Sequence, residues 1–164
     1  MKFAMHRVLV TLMLLSGAGV ALGTRVSAQE GTPAAVPPIL QAYEDAWSSG
    51  DAAKVGALYT ETAVREDVPT LTKAEGRAAI EQFAAGLFEV NRDARLDVTD
   101  GFVGESWAVA EWTYSGANAT TGRTVTFRGA SVIELEGGLI SRESDYYDLP
   151  EMQQQIMAAA TPAP

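Results

Sequence analysis

The 164-residue chain contains no cysteine and one histidine, and its 12 Lys+Arg are outnumbered by 21 Asp+Glu. Without cysteine there is neither a disulfide scaffold nor a thiolate metal site. Long apolar runs are also scarce. The one that stands out, Val8 to Leu22, has 15 residues, short of the ~20 that a stable membrane-spanning helix needs. Lys2, His6 and Arg7 precede this run and Val26-Ser27-Ala28 closes it, the three-part pattern of a secretory signal. The pattern predicts a signal peptide over residues 1–28, cleavage after Ala28, a secreted or extracytoplasmic product, and no stable membrane insertion after the cut. No cysteine follows the run to carry a lipid, and Arg7 stands outside any twin-arginine pair.

Cleavage would leave 136 residues and remove Lys2, Arg7, Arg25 and the sole histidine, His6, so that nine cations face 21 carboxylates, a formal charge of −12. A surface of that sign repels the phosphate backbone, which excludes nucleic acid as a partner. A mature chain with neither His nor Cys has no Ser-His-Asp triad, no Cys-His pair and no His-bound zinc. Any catalysis has to rest on carboxylates, Tyr and Arg, and no cofactor or metal site is expected.

What remains reads as one domain. QEGTPAAVPP (residues 29–38) and AAATPAP (158–164) are Pro- and Ala-rich, without an apolar period, and are read as flexible tails around a domain over 39–157. Ile39, Leu40, Tyr43, Ala46 and Trp47 recur at helical spacing up to Gly50. Asp51 can cap a short second helix, Ala52 to Tyr59. Thr62 to Val68 reads as a strand ending at Pro69, and Thr72-Lys73-Ala74-Glu75 resembles the capping box of a third helix with Ile80, Phe83, Ala84, Leu87 and Phe88 on its apolar face. From Leu96 the period is two: 96–98, 107–116, 124–135 and 139–147 read as four strands separated by Gly-containing turns. Asp148 then caps a last helix, with Pro150 in its first turn and Glu151 at the capping-box position. Helices followed by antiparallel strands imply an α+β fold in which a curved sheet wraps around a helix and encloses a pocket.

Three stretches, YEDAWSSGDAAKVGALYTETAV, GRAAIEQFAAGLF and GGLISRESDYYDLPEM, resemble the SnoaL-like branch of the nuclear transport factor 2-like superfamily. The resemblance runs from about Ile39 to Met157. It implies a cone-shaped, cystatin-like architecture, a curved antiparallel or mixed sheet around the N-terminal helices, and a homodimer paired through the sheet. It does not imply a reaction, because the fold hosts isomerases, cyclases, epoxide hydrolases and binders alike.

Locally the chain is most similar to the limonene-epoxide hydrolases, whose closing strand carries a like Asp-Tyr-Phe-Asp segment. Asp145 falls on their catalytic acid, and period two places Tyr147 beside it on one face, with Tyr146 and Asp148 on the other. The resemblance turns the first pair toward the pocket, where apolar walls would raise a carboxyl pKa into the range for acid-base work. Arg65 and Asp67 share a face of the first strand and take the places where those hydrolases hold a water with Tyr and Asn. They could bind an anionic oxygen and accept a proton, or form an ion pair that fixes the strand. Trp112 and Tyr114 replace the hydrolases' Arg and second Asp, so the acid-base relay of that family is broken.

What is left is an aromatic pocket. Trp112, Tyr114, Phe127 and Tyr147 are its candidate walls, Gly129 and Ser131 leave room, and Phe83, Phe88 and Met152 could close it. Aromatics at period two are also ordinary core. Two functions follow: a secreted module that binds a small apolar molecule without catalysis, or a cofactor-independent isomerase, cyclase or hydrolase with Asp145 as general acid-base and Tyr114 as oxyanion donor. Asn118-Ala119-Thr120 matches a glycosylation acceptor, a pattern short enough to occur by chance.

Overall fold

The computed structural model describes residues 36–158. The leader and its cleavage point, and the outer parts of both expected tails, lie outside the described residues. Among those described, no helix is long and apolar enough to cross a membrane.

Chain order is α1 (Pro38–Trp47), α2 (Ala52–Gly56), β1 (Tyr59–Asp67), β2 (Thr72–Glu75), α3 (Arg77–Val90), β3 (Asn91–Val103), β4 (Trp107–Asn118), β5 (Thr124–Glu136), β6 (Leu139–Tyr147) and α4 (Leu149–Ala158). The strands form one mixed sheet in the order β2-β1-β6-β5-β4-β3, with β1 and β6 parallel and the other pairs antiparallel. This is the α+β architecture expected from the element order. The four-strand meander is present as β3 to β6, and its tightest turn is Gly137-Gly138, both at positive φ (59° and 83°), the backbone that a two-residue hairpin requires.

Three local expectations give way to tertiary pairing. Thr72–Glu75 is strand β2 rather than a helix cap, because its backbone pairs with β1 from Val64 to Asp67. The helix that follows starts after Gly76, whose φ of 85° reverses the chain and which offers no side-chain cap. The second helix stops at Gly56, three residues early, since Leu58 and Tyr59 are drawn into the sheet beside Ile140. The first meander strand starts at Asn91, five residues early, and bends through register shifts between Arg92 and Arg95 and between Val98 and Asp100. The final helix begins as read: the Asp148 carboxylate accepts the Glu151 amide at 2.9 Å.

The apolar stripe of α1, Leu40, Tyr43, Ala46 and Trp47, is buried against the inner face of the sheet. That face can take a helix because its centre is small: Ala108, Ala110, Gly129 and Ser131 come from β4 and β5. A Cβ on Gly129 would lie 2.3 Å from the Trp112 ring and 2.7 Å from the Tyr146 carbonyl, so the missing side chain is the space the indole occupies. On the outer face Trp107, Val132 and Tyr146 are each close to half exposed.

Candidate functional site

Between the inner face and helices α1, α3 and α4 lies a cavity of about 300 Å³. Tyr43, Trp47, Phe83, Trp112, Tyr114, Phe127 and Tyr147 supply its aromatic lining, Met152 and Ile156 of α4 reach it from the side, and Arg65, Asp67 and Asp145 form its polar end. Of the pocket residues singled out in the sequence, all but Phe88, Ser131 and Gly129 line it. Phe88 packs against Trp47 (centroids 6.4 Å apart) and is not in the lining. Ser131 has no exposed surface and sits beneath the wall as a connector.

The polar end is built by register. Across β1 and β6, Arg65 pairs with Glu143 and Asp67 with Asp145, and across β6 and β5, Asp145 pairs with Ser131. Period two sends all five side chains to the inner face. Arg65 binds one Asp145 oxygen in a buried ion pair, and Ser131 donates to the other at 2.6 Å. The Ser131 oxygen also accepts the Trp112 indole N–H at 2.8 Å and lies 3.1 Å from the Tyr43 hydroxyl. The guanidinium rests on the Phe83 and Trp47 rings at 4.1 and 5.1 Å. Burial works against its charge, but Asp145 and Glu143 more than offset this and raise its pKa.

Glu143 is the residue that the sequence reading passed over. It is wholly buried, 3.7 Å from Arg65 Nε, and accepts hydroxyls from Tyr43 at 2.7 Å and from Tyr59. Burial first, then the charge of Asp145, pushes its pKa up to about 8. Burial and then the Glu143 charge raise both tyrosines well above the usual phenol value. The signal was in the sequence: Glu143, Asp145 and Tyr147 alternate on one strand face, and a Glu two residues before a pocket Asp shares its direction.

Asp67 has a separate set of partners. Its carboxylate accepts the Tyr147 hydroxyl at 3.0 and 3.1 Å and the Thr70 amide and hydroxyl at 3.2 and 2.7 Å. Burial, then Asp67, raises the Tyr147 pKa. Tyr114 differs again: its hydroxyl is buried with no hydrogen-bond partner, beside Gly116, and burial pushes its pKa up to about 12.

That placement separates Tyr114 from Asp145. Asp145 is in register with Ser131 and hence Ala110, whereas the Tyr114 hydroxyl lies at Gly116, six residues further along an unshifted stretch of β4. At ~3.3 Å per residue the two groups are on the order of 15–20 Å apart along the sheet. The register does not bring the Tyr114 hydroxyl alongside Asp145 as the expected acid-base pair requires. By contrast, the guanidinium missing from β4 is supplied from β1, since Arg65 stands between Asp145 and Glu143.

A curved mixed sheet closed by helices over an aromatic cavity defines the nuclear transport factor 2-like class. Within it, the SnoaL-like domain model matches residues 40–143, and the chain belongs to that family. Similar solved structures include a hypothetical protein with a ketosteroid isomerase-like fold from Catenulispora acidiphila, in complex with trimethylamine (21% identity, 77% of this chain and 99% of that one, TM-score 0.71). TsrD from Streptomyces laurentii is similar at 20% identity over 79% and 99% of the two chains, TM-score 0.65. So is an LEH-like epoxide hydrolase from M. tuberculosis, at 17% identity over 74% and 88%, TM-score 0.63. Likeness at these identities establishes the fold and carries no reaction with it.

Proposed function

We propose that this is an exported binding domain whose aromatic cavity holds a small molecule with an apolar body, without converting it. The observation that carries the reading is the state of Asp145. Both of its oxygens already accept a donor from the protein, Arg65 on one and Ser131 on the other. A carboxylate tied this way holds a wall together; to take a proton from a substrate it would have to loosen one of those bonds. The cavity itself is a suitable receptacle, at the size of a small ligand site, mostly apolar and with few polar groups. The residue 1–28 pattern supports export, and the mass of the mature N-terminus from an expressing host checks it.

One observation favours the enzymatic reading: Asp145 reaches the cavity wall beside a guanidinium and a second carboxyl, as an acid-base site would require. Glu143 itself does not line the cavity. Titrating small apolar carbonyl compounds against tryptophan fluorescence, with chromatography of each compound afterwards, separates the two. Saturable quenching that Trp112→Ala weakens, with the compound recovered intact, is the expected result. Conversion that Asp145→Asn abolishes in folded protein would overturn it in favour of catalysis.

A further inference from the structure

The polar end of the cavity carries more negative than positive charge, and the register decides where the excess lies. Arg65 is committed to Asp145 and Glu143 and stands over the Phe83 ring. Asp67 lines the same cavity and is only 8% exposed, yet its partners are hydroxyls and an amide, and no Lys or Arg of the described residues forms an ion pair with it. Hydrogen bonds from neutral donors make a buried carboxylate tolerable but leave its charge uncancelled. With Arg65 set against Asp145, one formal negative charge remains, and ionisation of Glu143 adds to it.

The side chains follow in a fixed order along the inner face. Arg65 and Glu143 come first, Asp67 and Asp145 next, then Tyr147, Gly129 and Trp112. The carboxylates therefore stand between the guanidinium and the aromatic end. There Trp112, Phe127 and Tyr147 meet with ring centroids 5.1 to 6.5 Å apart and planes inclined by 45° to 75°. The three rings touch one another at inclined angles and all line the cavity, so this corner offers it aromatic surface of the kind that attracts an ammonium group. The Tyr147 hydroxyl ties this corner directly to Asp67.

We propose that the ligand is a cationic amine, a protonated or quaternary ammonium on an apolar body, seated in the Trp112–Phe127–Tyr147 corner against Asp67. This rests on the reading that the cavity binds small molecules, and it names the polar group they carry. A neutral occupant would leave the Asp67 charge enclosed and unmatched, whereas an ammonium supplies the missing countercharge.

The test compares benzyltrimethylammonium with its uncharged isostere neopentylbenzene, titrated against the tryptophan fluorescence of the protein. The cation is expected to bind about tenfold more tightly. Asp67→Asn keeps an acceptor for Tyr147 and Thr70 but removes the charge, and should weaken the cation about fivefold while leaving the isostere unchanged. Phe127→Leu, which keeps apolar volume but removes a ring face, should likewise weaken the cation more than the isostere and serves if Asp67→Asn does not fold. Equal or tighter binding of neopentylbenzene to the unmodified protein overturns the amine assignment. Failure of both probes while the apolar carbonyl compounds bind overturns the amine assignment alone, and failure of all of them overturns the small-molecule reading beneath it.

Discussion

Glu143 is the side chain through which pH should act on this molecule. A carboxyl whose pKa rises on folding holds its proton more tightly in the native state, so the native state loses ground as pH climbs from the ordinary Glu value of 4.5 to about 8. Glu143→Gln keeps an acceptor for one of the two tyrosine hydroxyls, which bind different oxygens, and removes the titration. The stability of the natural protein relative to this variant is therefore expected to fall between about pH 5 and 8, by up to about 1.4 kcal/mol per pH unit. Urea midpoints measured across that range check it, and parallel profiles would contradict it. Residues of this kind are half legible in a sequence. Period two says that Glu143, Asp145 and Tyr147 point the same way, but only the parallel neighbour β1 brings Arg65 and Asp67 to them, across some 80 positions.

At the scale of elements, α4 is a cavity wall held by a few identifiable contacts. Met152 and Ile156 reach the cavity from it, and it is fastened by the Asp148 cap and by Gln155, which exchanges hydrogen bonds of 2.8 and 2.6 Å with the Thr126 backbone. Asp148→Ala should cost about 1 kcal/mol, concentrated in this helix. The expected outcome is faster amide exchange over 149–157 and weaker probe binding, with exchange in β4 and β5 unchanged; uniform acceleration throughout the sheet would show instead that α4 is integral to the fold. The start of α4 could be read locally because a cap and its amide partner are three residues apart. The fate of Thr72–Glu75 could not, because those residues fit a helix cap and lose it to a strand partner. The same competition shortens α2, where Tyr59 leaves the helical stripe to reach Glu143.

At the scale of the whole molecule, the surface away from the cavity bears on assembly. Trp107, Val132 and Tyr146 leave an apolar band on the outer face, bordered by the exposed Glu111–Arg128 and Glu134–Arg142 pairs. Pairing of two copies through this face is the expected use of it. Size-exclusion chromatography with light scattering should give twice the chain mass, and Val132→Glu should return a monomer without loss of probe binding; a monomeric natural protein would remove the proposal. The sequence by itself determined the inventory and the order: no Cys, one His placed in a leader-like segment, an excess of carboxylates, helices ahead of a meander, and the residues that alternate onto one face. These are properties of composition and of short-range period, and both survive without knowledge of the fold. Tertiary structure alone decided which charges meet. Strand order placed Arg65 against Asp145 and Glu143, left Asp67 with hydroxyls and an amide but no cation among the described residues, and set Tyr114 further down the sheet from Asp145. Pairing between strands distant in sequence depends on register, and one strand's pattern does not contain the register of its neighbour.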